Sequence, residues 1–124
     1  MPCMKTVTLA ICATTLLCLN GATAADESKG QTQTVRDLYE MCKKPYGVDT
    51  AFCVGYIGGV HDMMMMIRLS DDEKVKDLRL CDPGSTRGAE VQVFLNWAEK
   101  HPEHWSKLMF AGVVAALSTT WRCP

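Results

Sequence analysis

The chain has little of what marks many enzymes, metal proteins and β-proteins. It contains no CxxC pair, so a zinc site built on paired cysteines is not expected. After residue 24 it has no Asn-Gly or Asp-Gly hairpin signal and no sustained alternation of polar and apolar residues. No serine lies in a nucleophile elbow, and no two carboxylates are positioned by clear spacing. These absences argue against a strand-rich fold and leave catalysis, a metal or a cofactor without support.

The N-terminal residues have the parts of a secretory signal peptide. Lys5 precedes an apolar run over residues 7–19, and Ala22-Thr23-Ala24 offers the small residues that signal peptidase accepts. The run is too short and too poorly flanked for a membrane-spanning helix. We therefore predict a signal peptide over residues 1–24, export to the periplasm and no membrane span in the mature chain.

Cleavage leaves no strong charge of either sign. Residues 25–124 carry 12 basic and 14 acidic side chains, a net charge of −2. This balance argues against nucleic acid or an anionic membrane surface as a partner. Residues 25–33 are polar and lack apolar spacing, so we expect a flexible tail there and one small domain over residues 34–124.

Apolar spacing predicts an all-α fold, a single bundle of four to five helices. We expect a helix capped by Thr34, a second from about residue 49 to 69 and a short third over residues 70–80. A fourth is expected over residues 86–100 and a fifth over residues 103–121. The inward stripe expected for the second helix consists of Phe52, Tyr56, Gly59, Val60, Met63 and Ile67.

Four cysteines remain after cleavage, and an exported chain meets an oxidising compartment, so two disulfides are expected. Short connections bring Cys42 near Cys53 and the chain end near Cys81. If the segment before Cys81 runs back along the second helix, all four cysteines gather at one end of the bundle. We favour the pairs Cys53–Cys81 and Cys42–Cys123, and the sequence leaves the other pairings open.

The stretch FCVGYIGGVHDMMMM, residues 52–66, combines glycines and methionines within one helix. Glycine destabilises a helix, so we expect the glycines to make a groove for a neighbouring helix. Four consecutive methionines cover every side of a helix, so one or two should be exposed. We take Met64, Met65 and Met66 as a candidate dimer or partner surface, since methionine suits adaptable apolar contacts.

Two further segments carry candidate roles. The acidic-basic segment over residues 70–83 reads either as a solvated connection or as a protruding loop that enters a partner's cleft. The candidate partner-binding residues there and just beyond are Asp71, Asp72, Glu73, Lys76, Asp77, Arg79, Ser85 and Arg87. His101 and His104 flank Pro102, which we expect to break the geometry that two histidine ligands need, so a structural role at this corner is favoured.

Three motifs occur in a specific order: FCVGYIGGVHD, then LCDPGSTRGAEVQVFLNWAEKHPEHW, then ALSTTWRCP. Together they resemble the Rap/Tai immunity proteins of type VI secretion systems, over about residues 38–124. The residues that match the pattern are Cys53, Gly55, Tyr56, Gly59, Asp62, Cys81, Pro83, His101, Pro102, Glu103, Ala116, Leu117, Trp121 and Cys123. We interpret Gly55, Tyr56, Gly59, Asp62, His101, Pro102 and Trp121 as structural members of the motif.

The resemblance implies a small helical periplasmic protein with disulfides, often a homodimer, that has no enzymatic activity and no cofactor. Some members bind peptidoglycan amidase effectors and occlude the active-site groove, so a cognate secreted amidase is the expected partner. Two other classes stay open. One is a periplasmic helical chaperone or stress protein with exposed methionines, and the other is a helical carrier of a small apolar ligand.

Overall fold

The computed structural model describes residues 33–124, and within them the chain is all-α. Its elements are α1 (Val35–Cys42), α2 (Val48–Ile67), a first 3₁₀ helix (Glu73–Leu78), α3 (Arg87–Lys100), a second 3₁₀ helix (Pro102–His104) and α4 (Met109–Thr120). Each pair of these α-helices is in contact, so the four form one bundle. The predicted signal peptide and residues 25–32 of the predicted tail lie outside the described residues.

Helix α1 begins where the sequence predicts, because Thr34 and Asp37 cap each other. The Thr34 hydroxyl accepts the Asp37 amide at 3.3 Å, and the Asp37 carboxylate accepts the Thr34 amide at 2.8 Å. This reciprocal pair satisfies two amides that an open helix end leaves free. The hydrogen bond from the Thr34 amide also lowers the pKa of Asp37. Val35 and Leu38 follow the cap and are fully buried.

Helix α2 buries a face one residue away from the predicted one. Its buried residues are Cys53, Ile57, Gly58, Val60, His61 and Met64, so only Val60 of the predicted stripe is buried. The rotation brings His61 inward, where it meets two acidic side chains, and leaves Phe52 and Gly59 outside. Helix α2 is long and apolar enough to cross a membrane by composition alone, yet only a third of its most apolar window is buried in the bundle.

The predicted fifth helix is divided. The second 3₁₀ helix starts at Pro102, and α4 starts only at Met109. The reason is an antiparallel backbone pairing between Thr34 and Leu108, in which the Val35 amide donates to Lys107 O and the Met109 amide donates to Gln33 O, at 2.9 and 3.1 Å. Leu108 must be extended to make this pairing, which prevents a continuous helix.

The close approach of helices occurs at Gly112 of α4, and not at the glycines of α2. A Cβ atom on Gly112 would lie 2.4 Å from Val35 Cγ2, whereas one on Gly55 or Gly59 would meet nothing within 4 Å. Gly58 is buried, but a Cβ atom added there would meet a side chain and not a helix backbone. It would lie 3.0 Å from the Arg87 guanidinium. The predicted helix groove at Gly55, Gly58 and Gly59 is therefore wrong within the described chain.

The two disulfides are Cys42–Cys53 and Cys81–Cys123. Our favoured pairing, Cys53–Cys81 with Cys42–Cys123, is wrong, although the presence of two bridges is confirmed. The returning chain meets α2 at His61, which Asp82 contacts, and His61 lies about 12 Å along the helix from Cys53. A disulfide needs Cα atoms within about 7 Å.

Backbone contacts place Cys81 beside the C-terminal end of the chain. Leu80 forms an antiparallel bridge with Arg122, and the Cys81 amide donates to Trp121 O at 2.9 Å. Cys81 therefore faces Cys123, while the short turn after α1 leaves Cys42 facing Cys53. The bundle is closed at α1–α2 by one bridge and at its C-terminal end by the other.

Candidate partner-binding surface

An open groove lies between the first 3₁₀ helix and the end of α4. It has a volume of about 370 Å³ and is lined by Lys76, Asp77, Arg79, Ser118, Arg122 and Cys123. Three of these side chains are cationic and one is anionic, so the groove suits an acidic group. The sequence identified Lys76, Asp77 and Arg79 but missed the three residues from the C-terminal end. A correct prediction of the Cys81–Cys123 disulfide would have placed the C-terminal residues beside the first 3₁₀ helix.

Arg79 has a buried hydrogen-bond donor beside this groove. Its Nε atom is buried and lacks a hydrogen-bond partner within residues 33–124. One of its terminal nitrogens makes a long contact of 3.4 Å to Asp72 O. A buried donor without an acceptor is unfavourable by about 1–3 kcal/mol.

The acidic residues before the groove are exposed and do not line it. Asp72 caps the first 3₁₀ helix by accepting the Lys74 amide at 2.9 Å, and Glu73 lies 3.4 Å from Lys76. Asp71 is exposed beside them. These three residues form an acidic edge next to a basic groove, so the two surfaces differ in charge.

Ser85 and Arg87, also predicted to contact a partner, are engaged within the chain. The Ser85 hydroxyl donates to Asp82, and the Arg87 guanidinium contacts Asp62 at 2.6 Å, Glu90 at 2.9 Å and Gly58 O at 3.1 Å. Because these donors are used, the surface we propose does not include them.

A buried polar network connects α2, the turn after Cys81 and α3. His61, Asp82 and Glu90 are 8%, 8% and 2% exposed. His61 Nε2 lies 2.7 Å from Asp82, and His61 Nδ1 lies 3.5 Å from Glu90. The network fixes the turn that carries Cys81 and so holds one wall of the groove.

The charges in the network stabilise one another. Hydrogen bonding to Asp62, and then to Glu90, raises the pKa of Arg87. The Arg87 guanidinium in turn lowers the pKa of Asp62. Burial of Asp82 opposes its charge, but hydrogen bonds from Ser85, His61 and the Gly84 amide outweigh burial and lower its pKa. Asp62 thus bonds the first residue of a neighbouring helix.

The network contains a serine, a histidine and an aspartate, yet its order is not that of a hydrolase. Asp82 lies between the other two, so Ser85 donates to the carboxylate and has no contact with the His61 ring. A nucleophilic serine needs a histidine as its base, with the carboxylate behind that histidine. The Arg87 guanidinium, 2.9 Å from Glu90, already balances the negative charge of that buried carboxylate. We therefore assign the network a structural role.

A second cluster of His and Glu side chains lies at the corner after α3. His101 Nδ1 is 2.9 Å from Glu103 Oε1, and His104 Nε2 is 3.8 Å from the same oxygen. Pro102 does end the α-helix, since α3 stops at Lys100, as the sequence predicts. The proline starts a 3₁₀ turn, and this turn brings the two imidazoles to the same carboxylate.

The four methionines fall in different environments. Met64 is fully buried in the core, so its place in a predicted dimer or partner surface is wrong. Met65 is half-buried, and Met66 is 67% exposed. The prediction that at least one of the four is exposed is confirmed. Met66 continues an outer α2 face that also contains Val48, Phe52, Gly55 and Gly59.

Other motif residues support the bundle from its edges. Tyr56 is half-buried and stacks on Phe52 with ring centroids 5.7 Å apart, and its burial raises its pKa. Trp121 is half-buried and presents its ring to His61 at 6.2 Å. Trp121 therefore covers the buried His61 of α2, whereas Tyr56 packs toward the outer face of that helix.

Residues 34–123 match the family model of the Rap1a immunity proteins. The chain belongs to the Rap1a immunity protein family. The resemblance to immunity proteins noted in the sequence is thereby confirmed. Neither a curated protein nor a solved structure matches the chain. The Rap1a region includes every helix described above, both disulfides, the buried network and the groove.

Proposed function

We propose that this Rap1a family member is a type VI secretion immunity protein that works in the periplasm. It binds a cognate peptidoglycan amidase effector and occludes the active-site groove of that enzyme. It acts by contact and without catalysis or a cofactor. The signal-like residues 1–24, the even number of cysteines in the remaining chain and family membership support export and this role.

The groove carries the proposal. Its wall is held by the Cys81–Cys123 bridge, so little ordering is needed when a partner binds. Its three cationic side chains favour an acidic side chain from the partner. The exposed acidic edge at Asp71, Asp72 and Glu73 offers the opposite charge to basic residues around the same cleft. A surface with two signs of charge favours one orientation of the partner.

The groove is tested by binding to a cognate amidase effector, which we would seek first in the neighbouring reading frame. We expect Arg79→Glu and Lys76→Glu to weaken the affinity at least tenfold in calorimetry, because each places a negative charge where an acidic group docks. Lys100→Glu is the matched control, since it makes the same charge change at an exposed position outside the groove. Equal affinities for all three variants and the wild type would remove the groove from the proposal.

We also propose that the chain forms a homodimer through the outer face of α2. Val48, Phe52, Gly55, Gly59 and Met66 lie on one side of the helix at helical spacing, and all five are exposed; Asp62 lies between the last two. Gly55 and Gly59 give no intramolecular contact that offsets their destabilisation of the helix. In a two-fold dimer the same face on each copy would meet at these glycines. Phe52 and Met66 would cover apolar area on either side.

The dimer is tested by light scattering after size exclusion. We expect Gly59→Leu to convert a dimer into a monomer, because its side chain would hold the two helices apart, while the monomer keeps its fold. Ala111→Leu is the control, since it enlarges an exposed residue of α4, outside this face. A wild-type mass equal to one chain would contradict the dimer and leave the groove proposal intact.

A further inference from the structure

The corner between α3 and the second 3₁₀ helix gathers three side chains of metal-binding type. One donor atom from each of His101, Glu103 and His104 lies within 4.8 Å of the others. Both measured separations involve Glu103 Oε1, which is 2.9 Å from His101 Nδ1 and 3.8 Å from His104 Nε2. Tetrahedral zinc with bond lengths near 2.1 Å places its ligand atoms about 3.4 Å apart. The two distances bracket this value.

The backbone of this corner holds the side chains in place. Pro102 occupies the first position of the 3₁₀ helix, and the His104 amide donates to His101 O at 3.0 Å. The Trp105 indole donates to Ala98 O at 2.8 Å, which ties the turn to α3. None of these bonds uses an imidazole or the Glu103 carboxylate. The corner is therefore formed without any ion.

Trp97 limits the movement of both imidazoles. Its ring centroid lies 4.9 Å from that of His101 and 5.3 Å from that of His104. The side chains of the two histidines remain 40% and 44% exposed, and that of Glu103 is 61% exposed. The donor atoms are thus partly ordered and open to solvent.

We propose that His101, Glu103 and His104 form a surface site for a divalent transition-metal ion of the zinc class. Two imidazoles and one carboxylate are a donor set that zinc uses when a fourth position stays open to water. Ni²⁺ and Cu²⁺ accept the same donors, and Cu²⁺ should bind more tightly than Zn²⁺. None of the three ligands lines the groove, so this site is independent of the proposed effector binding.

The test uses the full chain, expressed for export and purified without a polyhistidine tag. We expect calorimetry with zinc chloride to show one ion per chain. His104→Gln and Glu103→Gln should each weaken zinc binding at least tenfold, and His101→Gln/His104→Gln should abolish it. Glu99→Gln is the matched control for Glu103→Gln, because Glu99 is an exposed acid on α3 outside the ligand set. Far-UV circular dichroism checks that each variant keeps its helices.

A second measurement locates the ion. Cu²⁺ quenches nearby indoles, so it should reduce tryptophan fluorescence in the wild type, and Trp97→Phe should remove most of that quenching. The chain has one further histidine, the buried His61, which limits competing sites. Absence of zinc binding at 100 μM, or unchanged affinity in the double histidine variant, would overturn the proposal.

Discussion

Glu90 is a carboxylate with 2% exposure in the interior of a small bundle, and Arg87, one turn earlier, is its main partner. The sequence indicates the i, i+3 spacing of this pair but not its burial. An isolated buried charge is strongly unfavourable, so the pair must act as a unit. The same guanidinium also bonds Asp62 and Gly58 O of α2, which couples the start of α3 to the middle of α2.

We expect Arg87→Ala to lower the free energy of unfolding by about 3 kcal/mol or more, because it leaves the Glu90 charge buried with little compensation. The double variant Arg87→Ala/Glu90→Gln should recover part of this loss. Urea unfolding measures both. Lys100→Ala is the exposed control and should change stability by less than about 0.5 kcal/mol. A loss for Arg87→Ala no larger than the control's would show that the pair is not coupled.

Substitution by alanine at two glycines tests helix packing, because one glycine is in close contact with a neighbouring helix and the other is not. Gly112→Ala would place a methyl group 2.4 Å from Val35 Cγ2, so we expect it to destabilise the fold by about 1–3 kcal/mol. Gly59→Ala meets open space, and we expect it to stabilise α2 by about 0.8–1 kcal/mol. Thermal unfolding at a concentration that keeps the chain monomeric measures both. Similar effects at the two positions would contradict the described packing of α1 against α4.

Among the elements, the helix starts that have a capping side chain followed local sequence rules, and the buried face of α2 did not. Thr34, Asp72 and Thr86 cap the elements that follow them, because a capping side chain acts only on the next turn. The buried face of α2 depends on partners distant in sequence. His61 turns inward to meet Asp82 and Glu90, and apolar spacing contains no sign of them. The start of α4 likewise depends on a backbone pairing with residue 34.

The stability that the turn after Cys81 gives to the fold should depend on pH. The pKa of Asp82 is lower in the folded chain than in the unfolded chain, so its charge stabilises the fold above about pH 4, near the unfolded value. That contribution is lost as pH falls through the folded pKa. We expect Asp82→Asn to be less stable at pH 7 and to lose less stability than the wild type between pH 5 and pH 2. Asp71→Asn, at an exposed site, is the control. Parallel pH profiles for wild type and Asp82→Asn would contradict this account.

At the scale of the whole molecule, the fold class and the number of bridges were predictable, and the closure of the bundle was not. Helical spacing and four cysteines in an exported chain lead to an all-α bundle with two disulfides. The pairing depends on how far the chain returns along α2 after residue 67, which composition does not encode. That same closure assembles the groove from Lys76 and Arg79 at one end and Ser118 and Arg122 at the other, so only half of the candidate site was visible in the sequence.

The central claim is that this closed scaffold protects by binding an effector and blocking it. The direct measurement is release of peptide from purified peptidoglycan by a candidate amidase effector, with increasing amounts of the full chain. We predict that hydrolysis falls to background at one chain per enzyme and that Arg79→Glu requires a large excess. Undiminished hydrolysis at a tenfold excess of the wild-type chain would contradict the account.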